Sequence, residues 1–252
     1  MKIERLVSTM LSCIISEHMK FKRTFIKKLT IIAPIILVLF CAAVNQGQYI
    51  ESGSFGYFYT IIFPAILPLM CSGVINKDLK KSKYRNILCL PFDPANLWTS
   101  KLIVCMWFSF LSCIIFLITA AIGGAIFGTQ FSFLTGIKAI FLIFITTLWQ
   151  IPLSLFLTDR FGMITAFLLN FIATTVGVVL AVSPSIWLAF PYAITSRLMC
   201  PVINVLPNSL PVPVGSPLKD SSVLVPGFIV SIALFIIISA LTALWFKKRE
   251  AK

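Results

Sequence analysis

The sequence contains six long stretches of apolar residues, each near the length that a helix needs to cross a bilayer. They cover residues 29–44, 55–75, 102–127, 139–157, 163–182 and 223–246, and none contains Asp, Glu, Lys, Arg or His. A transmembrane helix needs about 20 apolar residues, whereas barrel strands are shorter and alternate in polarity. We therefore predict an all-α integral membrane protein with six transmembrane helices.

Charged residues are scarce in this chain and mostly of one sign. Only 12% of the residues are charged, yet 21 Lys and Arg against 8 Asp and Glu give a formal charge of +13. A typical soluble domain has about 25% charged residues. A soluble basic protein would suggest nucleic acid, but most of this chain is too apolar to be in water. The composition excludes a disordered chain, a secreted disulfide scaffold and an ordinary cytosolic enzyme, and we expect no nucleic-acid partner.

The basic residues predict the orientation of the helices. Seven Lys or Arg fall in residues 1–28, six in residues 76–101, one at Arg160 and four in residues 247–252. Only Lys138, Arg197 and Lys219 fall on the opposite side. Since cytoplasmic loops carry the excess of positive charge, we predict that both termini are cytoplasmic.

Residues 1–28 are predicted to form an amphipathic helix on the cytoplasmic face of the membrane. A transmembrane domain at residues 29–246 and a basic tail at residues 247–252 would follow it. Ile3, Leu6, Met10 and Ile14 recur at helical spacing, opposite Glu4, Ser8, Ser12 and Ser16. Such a helix lies along the membrane surface. It has two alternative roles, an anchor that orients the first transmembrane helix or a mechanical element.

The longest predicted outer segment, residues 183–222, contains seven prolines and is apolar for a loop. A loop of this length in a compact protein is usually functional or disordered. We expect short helices that dip into the outer leaflet, with Trp187, Phe190 and Tyr192 at the outer interface, where amphipathic rings settle. Cys41 and Cys200 allow at most one disulfide there, and buried thiols are the favoured interpretation.

Residues that commonly carry catalysis are nearly absent. His18 is the only histidine, and none of the six apolar stretches holds a pair of carboxylates. The stretch GGAIFGT at residues 123–129 ends on Thr129, where a phosphate-binding loop has lysine. We therefore expect no catalytic residue, no metal and no cofactor in this chain.

Small and polar residues within the predicted helices are interpreted as packing features. Ala120, Gly124 and Gly128 form a small-xxx-small pattern, which is typical of helices in close contact. Gln150 and Asn170 are expected to form hydrogen bonds between helices. Because the six apolar stretches hold no ionisable residue, the energy for any uphill transport is expected from a partner.

The connection INKDLKKSKYRNILCLPFDPANLWTSKLI, residues 75–103, carries a resemblance to a known family. It resembles the connection between spans two and three in permease subunits of type-two ABC transporters. The matching residues are Lys80, Tyr84, Arg85, Leu88, Leu90, Pro91 and Lys101. The resemblance implies that residues 76–101 form a coupling loop for a separate ABC ATPase, so that this chain itself is not an enzyme.

Two further segments give a narrower resemblance. KFKRTFIKKLTIIAPIILVL at 20–39 and RLMCPVINVLPNSLPVP at 197–213 are similar to lantibiotic-immunity permeases of Gram-positive bacteria, particularly the E-type subunit. This implies a cytoplasmic-membrane exporter of antimicrobial peptides that works with an ATPase, a second permease and membrane lipid. The alternatives are a permease for drugs, lipids or bacitracin-like compounds, or a scaffold or sensor without transport.

Overall fold

The computed structural model describes residues 2–21, 25–44, 49–82, 94–183, 186–213 and 215–248 of the 252-residue chain, and these residues are nearly all helical. The helices are α1 (Lys2–Phe21), α2 (Phe25–Val44), α3 (Ile50–Tyr57), α4 (Phe63–Ser82), α5 (Pro94–Phe127), α6 (Phe133–Thr147), α7 (Gln150–Phe161), α8 (Met163–Leu180), α9 (Pro191–Ile203) and α10 (Leu224–Lys247). Within these ranges, strand-like pairing is limited to one antiparallel bridge between Val205 and Pro211.

The prediction of an all-α membrane protein is confirmed. Five helical segments are long and apolar enough to cross a bilayer, namely Lys27–Val44, Ile50–Asp78, Pro94–Phe127, Met163–Leu180 and Ser221–Lys247. The pair α6 and α7, bent by 41° at the break between them, is long and apolar enough to cross as a sixth span when the two helices are taken as one. An even number of crossings leaves both ends of the bundle on one side of the membrane, the side to which the basic residues point.

Proline explains the irregular turns within two spans. A π-helical turn, Phe58–Ile62, joins α3 to α4 directly before Pro64. Proline has no N–H to donate four residues back, so the regular pattern is interrupted there. The bend between α6 and α7 has the same cause, because Pro152 cannot donate to the carbonyl of Leu148. That carbonyl instead accepts from the N–H of Ile151 at 3.0 Å.

The N-terminal helix α1 packs beside α5 and α4. Ile14 packs against the main core, while Leu11, Ile15 and Met19 are more than half exposed on another face of the helix. An apolar face without a protein partner suits a helix at a membrane surface. Helix α1 thus has one face packed on the bundle and a separate, exposed apolar face.

The outer segment differs from its prediction because its main helix packs inside the bundle. Helix α9 lies against α8, α6 and α10, and its residues from Tyr192 to Cys200 are all buried. Gly177 permits this approach, since a Cβ atom there would lie 2.6 Å from the carbonyl carbon of Tyr192. Two 3₁₀ turns, Pro217–Lys219 and Ser221–Val223, lead into α10.

The predicted position of the outer aromatic residues is corrected by this packing. Trp187 is buried in a small cluster with Ile194 and Leu198, and Tyr192 is buried against the ring of Trp149. Phe190 is half-buried. Trp187 and Tyr192 therefore stabilise α9 within the protein rather than facing the membrane interface, because the rings can bury more apolar area there.

Candidate functional site

Two carboxylates and two lysines meet where the cytoplasmic ends of α1, α4 and α5 come together. Glu17 and Lys20 lie on α1, Asp78 lies near the end of α4, and Lys101 lies near the beginning of α5. We call these four residues the ion-pair ring.

The charges alternate around the ion-pair ring. The Nζ atom of Lys20 lies 2.6 Å from Oε1 of Glu17 and 2.7 Å from Oδ1 of Asp78. The Nζ atom of Lys101 lies 3.2 Å from Oε2 of Glu17 and also donates to Oδ2 of Asp78. Each carboxylate therefore accepts from both lysines, and the four charges sum to zero.

Three members of the ion-pair ring are withdrawn from solvent. The side chain of Lys101 is 0% exposed, that of Glu17 is 1% exposed and that of Asp78 is 5% exposed, while Lys20 is 24% exposed. Burial alone would lower the pKa of Lys20, but Glu17 and Asp78 outweigh it and raise the pKa above its ordinary value. Removing one member would leave a buried charge uncompensated, which is strongly destabilising.

Further bonds attach these helix ends to one another and to α10. Lys77 on α4 donates to the backbone carbonyl of Lys20, in the last turn of α1. On α5, the buried Trp98 donates from its indole N–H to the hydroxyl of Thr242 at 3.0 Å and stacks on Phe246. The cytoplasmic ends of α1, α4, α5 and α10 thus form one connected unit.

Most of the residues predicted for ATPase coupling fall between the helices of this unit. Tyr84, Arg85, Leu88, Leu90 and Pro91 lie outside the described residues. Lys80 lies on α4, whose last turn ends at Ser82. The predicted loop 76–101 is shorter than expected, because α4 continues through its first seven residues and α5 begins at Pro94. Proline is favoured at the first position of a helix.

A third buried carboxylate lies at the opposite end of the bundle. Glu51 on α3 accepts from the backbone N–H groups of Gln130 at 2.7 Å and Phe131 at 3.3 Å. It is seated against Gly124, where a Cβ atom would come within 2.0 Å of its Oε1. Ala120 is buried one turn earlier. Glu51 thus fastens α3 to the loop between α5 and α6.

The predicted small-xxx-small pattern does not extend to Gly128. Helix α5 ends at Phe127, and Gly128 has a φ of +118° in the following turn. No described atom lies within 4 Å of a Cβ atom built there. Gly128 therefore serves the left-handed turn that glycine adopts readily, and its assignment to helix packing is wrong.

Asn170 forms the hydrogen bonds between helices that its position predicts. Its amide donates to the hydroxyl of Ser154 on α7 at 3.1 Å, and its Oδ1 accepts from the hydroxyl of Tyr192 on α9 at 3.2 Å. Gln150 differs, since its buried Oε1 has no hydrogen-bond partner among the described residues. Asn170 therefore links α7, α8 and α9.

Five of the six described cysteines are buried, as is the outer arginine Arg197. The six described cysteines are free, including Cys41 and Cys200, so the possible disulfide between these two is absent. Arg197 lies on α9, where it donates to the backbone carbonyls of Pro217 and Leu218 at 3.2 Å. Arg197 was predicted to lie among the charges of the outer loop. In the structure it is buried on α9 and attaches the 3₁₀ turn Pro217–Lys219 to that helix.

An apolar groove runs between α2 and α5 in the outer half of the bundle. Its cavity of about 160 Å³ is lined by Ile35, Val38, Leu39, Ala42, Thr119, Ile122, Gly123, Ile126 and Phe127. Leu39, Ile122 and Ile126 are all more than half exposed. On a membrane-spanning helix, such exposed side chains face lipid or another apolar partner. We call this feature the apolar groove.

The ion-pair ring was not predicted from the sequence, although two signals for it are present. Glu17 falls on the same helical face as Met10, Cys13 and Ile14 rather than among the serines. Asp78 likewise continues the buried face of Cys71 and Val74 on α4. An acidic residue on an apolar helix face requires a buried partner.

Together, these features define a multi-pass helical membrane protein with charges gathered at its cytoplasmic end and an apolar groove in its outer half. Residues 13–177, more than half of the chain, match the family described as ABC-2 family transporter protein. The chain belongs to this family and is a permease subunit of an ABC transporter, which implies an ABC ATPase as its partner. The matched range includes the whole ion-pair ring. No curated protein and no solved structure matches the sequence.

Proposed function

We propose that this permease belongs to an exporter that removes lantibiotics or other antimicrobial peptides from the membrane and so gives immunity or resistance. The observation that carries the proposal is the apolar groove, which opens toward lipid in the outer half of the bundle and whose lining includes no charged residue. An amphiphilic peptide inserted in the outer leaflet presents an apolar side to such a surface. Capture is then mainly hydrophobic, and no polar binding pocket is required.

The sequence supports the same substrate class. The segment at 20–39 that resembles the lantibiotic-immunity permeases includes most of α2 and reaches Leu39, on the wall of the apolar groove. The second segment, 197–213, begins on the buried face of α9. By this resemblance, we place the protein in the cytoplasmic membrane of a Gram-positive bacterium.

The energy comes from the ATPase partner in this proposal. It docks on the coupling loop 76–101, and its contacts include Lys80, Tyr84, Arg85, Leu88, Leu90 and Pro91. ATP hydrolysis takes place on that subunit, and closure of the ATPases pushes on the helix ends beside the loop. A second permease completes the path for the peptide, as an E-type subunit pairs with a G-type subunit.

A permease for drugs, lipids or bacitracin-like compounds is the second candidate, since the apolar groove suits any amphiphile. The partner discriminates between these functions. Co-purification of a second, different permease supports the immunity system, whereas a homodimer supports the general exporter. A scaffold or sensor without transport is tested by Leu88→Asp and Pro91→Asp, which we expect to abolish ATPase binding.

The proposed function is tested by deleting the gene in the bacterium that carries it, with the ATPase gene intact. We expect higher susceptibility to a lantibiotic, restored by the wild-type gene. Susceptibility to bacitracin, measured in the same strains, is the matched control. An unchanged response to every lantibiotic tested would contradict the proposal, and a change with bacitracin alone would favour the second candidate.

A further inference from the structure

Two members of the ion-pair ring lie near the two ends of the proposed ATPase docking loop, residues 76–101. Asp78 is within the last two turns of α4, and Lys101 is in the third turn of α5, so the two residues flank positions 83–93 in the chain. Glu17 and Lys20, on the separate helix α1, bridge them. The ring is therefore the point at which α1 contacts both ends of that loop.

Charge pairing fixes α1 in one position along these helix ends. Apolar side chains of similar volume often give equal or greater stability than buried ion pairs, so stability alone does not explain four charges here. A ring of alternating charges has one favourable arrangement, because a shift of α1 along its axis separates Glu17 from Lys101 and Lys20 from Asp78. A bond from Lys77 to the carbonyl of Lys20 holds the end of α1 as well.

The elements attached to the ion-pair ring lead to the membrane. On α1, Leu11, Ile15 and Met19 form the exposed apolar face that suits the inner membrane surface. On α5, Lys101 and the groove residue Ile122 are on one continuous helix, separated by about 30 Å at the rise of an α-helix. A displacement at the docking loop thus reaches both the membrane surface and the apolar groove through rigid helices.

We propose that Glu17, Lys20, Asp78 and Lys101 are positioning residues that make α1 move together with the two helix ends beside the ATPase docking loop. This inference rests on the proposed docking at residues 76–101 but not on the identity of the exported compound. The amphipathic helix is then a mechanical element rather than only an anchor.

Cys13 is a natural reporter for this movement, since it is half-buried on α1 one turn before Glu17. We would use inverted membrane vesicles that contain the permease with its ABC ATPase, in a Cys89→Ser background. The rate of Cys13 alkylation by a water-soluble maleimide is measured without nucleotide and with ATP. Co-purification of the ATPase is measured on the same preparation and tests docking separately.

The test variant is Asp78→Asn/Lys101→Met, which removes one anion and one cation and leaves the Glu17–Lys20 pair. We expect ATP to change the wild-type alkylation rate several-fold, and the double variant to lose this response while it retains the ATPase. The single variant Lys101→Arg keeps the positive charge, and we expect its alkylation rate to respond to ATP as that of wild type does. Lys219→Met/Asp220→Asn, a charge-neutral pair in the outer segment, should respond as wild type does.

Two results would overturn the inference. One is an ATP response in the double variant as large as that of wild type. The other is a Cys13 alkylation rate in wild type that ATP leaves unchanged although the ATPase is bound. Neither result depends on peptide resistance, so a wrong substrate assignment is distinguishable from a wrong role for the ion-pair ring.

Discussion

The Nζ atom of Lys101 lies 3.2 Å from Oε2 of Glu17, although the two residues are 84 positions apart in the sequence. Both side chains are withdrawn from solvent, and Asp78 and Lys20 complete their pairing. This contact attaches the N-terminal amphipathic helix to the beginning of α5, the longest helix described in the bundle. The proposal that α1 moves together with the helix ends beside the docking loop follows from this contact.

Lys101→Met should lower the free energy of unfolding by about 3–5 kcal/mol, because it leaves two buried carboxylates with one lysine. Asp78→Asn/Lys101→Met should cost less than the sum of the two single substitutions, with a coupling free energy of about 0.5–3 kcal/mol. Unfolding of the purified protein in mixed detergent measures both. Lys138→Met, at an exposed position near the other end of the bundle, is the control. Additive losses would show that the residues of the ring do not interact.

Gly124→Ala should lower the free energy of unfolding by about 1–3 kcal/mol, because the added methyl group must displace the Glu51 carboxylate. Glu51 would then lose its bonds to the N–H groups of Gln130 and Phe131. Gly123→Ala is the matched control, since its Cβ atom would be 3.1 Å from a methyl carbon of Ile50 and requires only a small adjustment. Equal effects of the two substitutions would contradict the close contact of Gly124 with Glu51.

The rate at which the Cys13 thiol reacts with maleimides should rise at a higher pH than for an ordinary thiol, because the pKa of Cys13 is raised. Burial is the main cause, and the Glu17 carboxylate adds to it, while Lys20 opposes it. The midpoint of the rate against pH is therefore expected above the ordinary thiol value of about 8.5. Glu17→Gln should move this midpoint to lower pH, because a nearby negative charge that disfavours the thiolate is removed. Glu51→Gln, far from Cys13 in the bundle, should not move it.

Tyr192→Phe should weaken the attachment of α9 to α8, because Asn170 loses the hydroxyl that donates to its Oδ1. Hydrogen bonds between membrane helices contribute about 0.6 kcal/mol on average, and we expect a loss of that order. Unfolding in mixed detergent, with Tyr49→Phe at an exposed position as the control, measures it. A variant as stable as wild type would mean that this bond does not hold α9.

The six spans were predictable because each depends on local composition. Continuous apolar stretches of about 20 residues have few alternatives in a membrane. Asn170 was also predictable as a link between helices, since a buried amide in a span has few other partners. These features need no knowledge of which helices are neighbours.

The ion-pair ring and the burial of α9 could not be predicted from the sequence without knowing which helices are neighbours. Glu17 belongs to the predicted amphipathic helix at residues 1–28, and Asp78 and Lys101 lay just outside the predicted spans. Only the extension of α4 and α5 beyond the apolar stretches brings these charges together. Similarly, Tyr192 was expected at the membrane interface because its partners Asn170 and Trp149 belong to other helices.

The most direct test of the proposed export is the distribution of a labelled lantibiotic between cells and medium. We would compare cells that express the permease, its ABC ATPase and the second permease with cells that lack only this permease. The proposal predicts that peptide already bound to the membrane is released into the medium when ATP is available, and that release stops in Asp78→Asn/Lys101→Met. Equal retention of the peptide with and without the wild-type permease would contradict it.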